Sequence, residues 1–487
     1  MRISKITGTF LLFLVGMIQT VQAQEAIGLR TDRYLGINTA LLNPANTVQF
    51  PLRWDANIVA LDHFTATNYL YVKDIGLFSL LNNIENVRFA NATDATPTQG
   101  TRIEADYYTG SHKRYAFTQT QIQGPSLLLN IFNNTHYIGF FINARMHLSA
   151  SNIAPNLSYY HYDNQPLNTP LTIDPFEGAM MAWSETGLHY GYRSEGNLSF
   201  GANLKFLNGY ESLFFENLNT TDLTKVTGDS LNFPDVHAQL GFTTSNLREN
   251  QAKQLKRNGG GVALDLGVTW AQYDGDDYNY LLGVSLLDLG TINFKSNTRN
   301  FDFDSDNLVE WATLRYKQGY NIDDYDHLAN SLSYDLFGDS TAAFAGNQAY
   351  RIWMPTGVSA QVDLRLSPYF YVNGTFVQRI PIGEHRLKRN NMMYFAPRFE
   401  HRWFGASLPV VIYNYEKFRL GVAVRLAYLT IGTDHLVSLF KSNEFTGTSF
   451  YVALKFNPFN INWERSGGGS GNRNIGGRGK AMGCYQF

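Results

Sequence analysis

Lys417-Phe418-Arg419-Leu420-Gly421-Val422-Ala423-Val424-Arg425-Leu426-Ala427-Tyr428 is the stretch whose reading decides the fold class. Taken alternately, Phe418, Leu420, Val422, Val424, Leu426 and Tyr428 fall on one side, and Lys417, Arg419, Gly421, Ala423, Arg425 and Ala427 on the other. A helix, turning about 100° per residue, would mix the two sets, whereas a strand keeps them apart. The same division runs through 197–206, where Asn197, Ser199, Gly201, Asn203 and Lys205 oppose Leu198, Phe200, Ala202, Leu204 and Phe206. It recurs in 262–270, 138–148 and 358–366, so the chain is read as all-β.

Alternation alone suits both a soluble sandwich, with its apolar face in a core, and a transmembrane barrel, with its apolar face in lipid. Length favours the barrel: the alternating runs reach about nine to eleven residues, enough to cross a bilayer when tilted, where soluble strands average nearer five or six. Composition agrees, with 14% aromatic and only 16% charged residues, against about a quarter charged in soluble domains. Trp270, Tyr278, Tyr280, Tyr369, Tyr371, Trp403 and Tyr428 lie near strand ends, where an interfacial girdle would place them. The expected fold is a transmembrane antiparallel β-barrel in the bacterial outer membrane, of roughly fourteen strands, with twelve and sixteen also compatible.

Around the barrel, 53–456, the sequence divides further. Arg2 and Lys5 precede an apolar run, and Val21-Gln22-Ala23 has the small-residue pattern of a cleavage site, so 1–23 reads as a signal peptide. The segment 24–52, rich in turns around Asn43, Pro44 and Ala45, is too irregular to span a membrane and is expected to be a short plug. The longest irregular stretch, 296–351, is placed as an outer insertion, with 327–337 a possible short helix. The Gly-rich tail 457–487 is expected in the periplasm as a flexible tether, with Gly483, Cys484, Tyr485, Gln486 and Phe487 as a partner-docking peptide or a frayed end.

No enzyme signature stands out. There is no His-Glu-x-x-His, no Gly-x-Ser-x-Gly and one cysteine, so no catalytic residue, metal site or cofactor is expected. Asp302, Asp304 and Asp306 resemble the start of a calcium loop, but Asn307 and Thr313 stand where that loop needs Gly and Glu. A net charge of -2 gives no argument for nucleic acid. The candidate lumen-facing charges are Arg145, Lys205, Asp265, Asp363, Arg365, Arg398, Glu400, Arg402, Arg419 and Arg425, of both signs. Mixed charges inside a barrel cross-link opposite walls or select a solute.

Asn43-Pro44-Ala45, between signal peptide and first strand, resembles the Asn-Pro-Ala signature of the FadL superfamily of outer-membrane barrels, and the whole chain looks like a Bacteroidota-type branch of it. The resemblance implies fourteen strands, an N-terminal plug that gates the pore, and uptake of small hydrophobic or amphiphilic solutes from a setting of outer-membrane lipids. Other members serve as accessory barrels in multi-protein secretion or assembly complexes, a role in which the tail would contact outer-membrane or periplasmic protein partners.

Overall fold

The computed structural model describes residues 26–457, apart from 84–85, 90–102, 109, 111, 133, 156–165, 228–229, 244–254, 275–276, 306–308, 313–329, 331–332, 335–347 and 441. The proposed signal peptide, the helix at 327–337 for the most part, and the tail beyond 457 lie outside the described residues.

Alternating segments form β1 Trp54–Thr67, β2 Arg114–Gln123 continued by Ser126–Ile131, β3 His136–Ile153, β4 Phe176–Arg193, β5 Leu198–Asn217, β6 Gly259–Asp274 and β7 Asp277–Phe294. They continue as β8 Tyr350–Trp353 with Gly357–Ser367, β9 Phe370–Arg379, β10 Met392–Glu400, and β11 Phe404–Ser407 with Val410–Tyr413. The last are β12 Lys417–Leu420 with Val422–Leu426, β13 Leu429–Thr433 and β14 Ser449–Phe456. Each pairs antiparallel with its neighbour, and β14 returns to β1, with Ala60 opposite Ala453 and Phe64 opposite Ser449. The result is a closed barrel of 14 strands, with no lateral edge left unpaired.

The expected faces are the observed ones. In β5, Leu198, Phe200, Leu204 and Phe206 are exposed, while Ser199, Asn203 and Lys205 are buried. Exposed Leu266 and Trp270, Val362 and Leu364, and Phe418, Val424 and Leu426 continue this apolar belt. An apolar exterior around a closed, polar-lined cylinder makes the chain an outer-membrane β-barrel. The connections 132–135, 194–197, 275–276, 368–369, 401–403 and 427–428 at one end are all short, whereas 68–113, 154–175, 218–258 and 295–349 at the other are long. Short turns mark the periplasmic end, which puts the start of β1 and the end of β14 there.

Three features depart from the sequence reading. First, β3 to β7 are longer than a membrane needs: β5 has 20 residues, against about nine to eleven for a tilted span, so its outer end stands above the bilayer. The outer stretch 296–351 is not irregular at its start, because Thr298–Ser305 pairs with Val236–Thr243, which extends the wall from β5. Second, 417–428 is interrupted. Pro397 and Pro409 lack an N–H, and the ladder is bridged there by Leu408 N to the Pro397 carbonyl (3.2 Å) and Gly421 N to the Pro409 carbonyl (2.8 Å). Third, Tyr278 and Tyr371 are not girdle residues: both are buried, whereas Trp270 and Tyr369 remain exposed at the periplasmic rim.

The barrel orientation makes a direct prediction. Leu204→Arg, near the middle of the belt, should lower folding stability in lipid by about 2–4 kcal/mol. Leu218→Arg, beyond the outer end of β5, should change it by less than about 0.5 kcal/mol. Equilibrium denaturation of the refolded barrel in vesicles reads both, and equal costs would contradict the assigned faces.

Candidate functional site

Inside the barrel lies the segment that precedes β1. Residues 26–53 form three short helical turns, Ile27–Leu29, Arg33–Leu41 and Pro44–Gln49, buried along most of their length. Asn43 starts the last of them: its side chain accepts from Ala45 N at 3.0 Å, and Pro44 takes the first helical position, where no N–H is needed. This turn rests on a patch of wall without side chains. A Cβ on Gly201 of β5 would stand 2.3 Å from the Pro44 carbonyl carbon, one on Gly267 of β6 2.0 Å from Asn43 Oδ1, and one on Gly283 of β7 2.9 Å from Asn43 Nδ2. Three adjacent strands thus keep glycine where the backbone of Pro44 and Ala45 and the side chain of Asn43 make their closest approach.

Polar contacts and apolar packing hold the rest of the segment, with Ile37, Leu41, Val48 and Phe50 clustered on Leu128, Tyr137 and Phe141 of the wall. Ser285 Oγ donates to the Leu42 carbonyl (2.7 Å), Asn203 Nδ2 to the Ala40 carbonyl (2.9 Å), and Asn46 Nδ2 to Gln361 Oε1 (3.0 Å). Thr47 Oγ1 lies 2.8 Å from His189 Nε2. Ion pairs join Arg33 to Asp277 of β7 (2.8 Å) and, on the opposite wall, Asp32 to Arg425 (2.8 Å) and Arg30 to Asp62 (3.2 Å). Lys455 of β14 pairs with Asp55 at 2.8 Å and donates to the Leu35 carbonyl.

Above this segment, at mid-barrel, three buried cations meet three buried anions. Asp288 takes Arg145 (3.0 Å), Lys205 (2.6 Å) and Arg389 (2.5 Å), Asp265 takes Lys205 (2.6 Å), and Glu185 takes Arg145 (3.4 Å). Each of these side chains is at most 5% exposed. Charges so far from water persist only where paired and hydrogen-bonded, and the Arg145 guanidinium is further covered by the Trp183 ring at 4.9 Å.

Arg389 comes from the outer connection 380–391, which dips into the barrel. His147 Nε2 donates to the Lys388 carbonyl (2.9 Å), Lys388 N donates to Ser149 Oγ (2.9 Å), and Arg389 Nε donates to the Pro355 carbonyl (2.8 Å). Lys388 also pairs with Glu177, and Arg386 with the same carboxylate at 3.3 Å. Burial lowers the affinity of the Lys388 ammonium for its proton, and the Glu177 contact opposes that shift.

The outer half of the lumen is walled by two apolar clusters. Phe64, Phe117, Val377, Met392, Tyr394, Val411 and Tyr413 form one buried cluster with Ile27 and Leu42 of the N-terminal segment. Met181, Trp183, Leu207, Phe214, Ile292, Phe294 and Ile352 form a second across the barrel, with Leu387 of the inward connection.

The sequence-derived lumen charges fall into separate groups. Arg145, Lys205 and Asp265 share the central cluster. Asp363, Arg398 and Glu400 form a chain with contacts of 2.8 and 2.9 Å. Arg365 lies 3.5 Å from Asp277. Arg425 holds Asp32, and the Arg419 guanidinium stands 5.4 Å from the Phe64 ring and 4.9 Å from that of Tyr413. Arg402 requires a correction: β10 ends at Glu400, so Arg402 sits in the periplasmic turn, 5.4 Å over the Trp403 ring, and not on a lumen-facing strand position. The expected docking peptide Gly483–Phe487 lies outside the described residues.

Sequence reasoning missed Asp288. It stands in a bulge of β7, with φ 52°, where Leu287 and Asp288 together oppose Asp265, and that extra residue breaks the period-two count. Its neighbours in sequence, Leu286, Leu287 and Leu289, give no polar alternation to follow. Glu185 and Arg389 were also missed, the latter because it lies in a connection.

A family model described as a family of unknown function (DUF5723) matches residues 44–434, from the turn on the glycine patch to the outer end of β13. The chain belongs to the DUF5723 family. No curated protein matches this DUF5723 chain. Among solved structures, a TodX mutant described as a monoaromatic hydrocarbon channel is similar at 10% identity, covering 90% of this chain and 99% of that one, with a TM-score of 0.43. The Pseudomonas putida toluene transporter TodX is similar at 10% identity over 90% of this chain and 98% of its own, TM-score 0.36. The Ralstonia pickettii toluene transporter TbuX is similar at 7% over 87% and 94%, TM-score 0.30. Values this low carry no argument about solutes, and the barrel fold rests on the strand ladder itself.

Two outcomes follow from the geometry. Gly201→Ala should displace the 43–45 turn and cost about 1–3 kcal/mol. Gly374→Ala, whose Cβ meets nothing within 4 Å, should be nearly neutral. Asp288→Ala, which leaves three buried cations without their shared partner, should cost about 3–5 kcal/mol, while exposed Asp304→Ala should cost less than about 0.5 kcal/mol. Denaturation midpoints in detergent separate the two members of each pair.

Proposed function

We propose that this protein is an outer-membrane channel for small hydrophobic or amphiphilic solutes, with residues 24–52 as its plug and the Asn43–Ala45 turn as the seat of the gate. The observation that carries the reading is the division of the lumen into two unlike halves. The outer half is walled by two apolar clusters, and the floor of one of them is Ile27 and Leu42 of the N-terminal segment itself. The inner half holds that segment by polar contacts and by an apolar cluster of Ile37, Leu41, Val48 and Phe50 with Leu128, Tyr137 and Phe141 of the wall.

The division has a mechanical consequence. Neutral hydrogen bonds of the kind that hold 40–47 contribute about 0.5–1.5 kcal/mol each when water replaces them. The turn fixed by such contacts and seated on glycine can shift when water or a solute competes for them, while Ile37, Val48 and Phe50 stay packed on Leu128, Tyr137 and Phe141. An apolar solute in the outer half would gain by leaving water, and would reach Ile27 and Leu42, both fully buried, where the cluster around them opens. An ion would lose its hydration among those apolar side chains, and the central charges already neutralise one another. The inward connection 380–391 would be the second constriction, tied to the wall through Arg389, Lys388 and His147.

Removal of residues 24–52 should turn a closed barrel into an open one. Planar-bilayer recordings are expected to show low conductance for the intact protein and a marked rise for the deletion variant, and vesicle uptake should favour an apolar solute over a charged one of equal size. Conductance unchanged by the deletion would mean that the segment is not a gate.

A further inference from the structure

The outer connections 68–113 and 434–448 fold together into a lobe, and its placement on the barrel points to a surface that the channel reading does not use. Strands Leu70–Ile75, Ile103–Tyr107 and Ser442–Phe445, with Val87–Phe89 at the edge, form its sheet, and a short helix, Leu77–Asn82, covers one side. Leu70, Val72, Ile75, Leu77, Leu80, Ala105 and Phe445 make its core.

This lobe is not a lid over the lumen. Phe450, from the outward, lipid-facing row of β14, packs against its core. His63, directly opposite Phe450 on β1 and also outward, is only 1% exposed, with its ring centroid 5.5 Å from that of Phe450. The lobe is therefore fixed to the outside of the wall, on residues that would otherwise meet lipid.

Its two sides differ in kind. The uncovered sheet face is charged, with Lys73 3.4 Å from both Glu104 and Asp106, and with Tyr108 hydrogen-bonded to Glu444. The opposite side presents Phe78 (63% exposed) and Leu81 (40%) from the helix, next to Val437 (53%) and Phe440 (65%) from the turn Leu436–Leu439 and its end. Those two segments touch closely enough that a Cβ on Gly76 would lie 2.3 Å from the Phe440 carbonyl oxygen. Neither 77–82 nor 436–440 contains Asp, Glu, Lys or Arg. The turn follows directly on β13, whose outward Ile431 belongs to the lipid belt.

We propose that the lobe is a membrane-immersed foot, in which Phe78, Leu81, Val437 and Phe440 enter the acyl-chain region of the outer leaflet while the charged sheet face stays at headgroup level. The occupant is lipid because the patch continues a surface that already faces lipid, and because an exposed apolar cluster backed by a polar face is the pattern of an interfacial membrane element. The barrel wall would then be widened on one side by a monotopic anchor, which would orient the outer mouth relative to the leaflet.

The test uses the full chain with Cys484→Ser, a single environment-sensitive fluorophore on Phe78→Cys, and a control fluorophore on Glu104→Cys. Both are reconstituted into phospholipid vesicles with and without nitroxide-labelled acyl chains. The Phe78 reporter should show blue-shifted emission relative to Glu104, lose fluorescence to the nitroxide lipid and resist aqueous iodide. Iodide quenching of the Phe78 reporter without nitroxide quenching would overturn the proposal. So would protection from both quenchers that disappears on diluting the protein in lipid, which would assign the patch to a second copy. A reporter on Phe440→Cys gives the same readout if the Phe78 variant fails to refold.

Discussion

Every backbone polar group that crosses a bilayer must find its partner within the protein, and the rest of this structure depends on the ladder between β1 and β14 that satisfies that demand. With the edge closed, lipid can touch only side chains, and the alternation of each strand sends apolar residues out and everything else in. A barrel of this width then faces a second problem, because the inward faces of 14 strands enclose more space than their own side chains fill. The chain fills it with itself.

The filling is graded along the axis. At the periplasmic side the N-terminal segment meets the wall through hydrogen bonds, ion pairs and the packing of Ile37, Val48 and Phe50 on Leu128, Tyr137 and Phe141. Mid-barrel charges neutralise one another around Asp288, and the outer side carries two apolar clusters, with Arg419 beside one of them. The order has a physical logic: buried charges are costly unless each has its partner, so they gather where β3 to β7 and the inward connection all converge. Gly201 allows the Asn43–Ala45 turn to lie against the wall backbone to backbone, and Gly267 and Gly283 leave room for the Asn43 side chain. Wall and filling are thus made from one chain by different interactions, continuous ladders for the first and side-chain packing with polar contacts for the second.

The two outer connections that build the lobe show the same economy in another direction. Their core forms against Phe450, a residue whose outward position is set by the register of β14, so the lobe borrows part of the lipid belt as its own packing surface. Wall and lobe are consequently one apolar surface, and its extent follows from strand pairing.

Alternation in 138–148, 197–206, 262–270 and 417–428 by itself determined the strands and the inward placement of Arg145, Lys205, Asp265 and Arg425, because a strand's period of two is a local property of backbone geometry; the length of the runs and the composition added the membrane barrel and its lipid face. The Asn43-Pro44-Ala45 turn was legible for the same reason, since a cap and a proline act within a few residues. What meets across the barrel was decided only by tertiary structure. Asp288 is hidden from a period-two count by its bulge, Arg389 by its place in a connection, and the role of Gly201, Gly267 and Gly283 by the absence of any side chain to read. The two apolar clusters of the outer lumen were also unreadable, because Phe64, Phe214 and Val411 carry the same hydrophobic signal whether they face lipid or one another. Only closure of the ladder, which joins residues about four hundred positions apart in sequence, gives those side chains an inside.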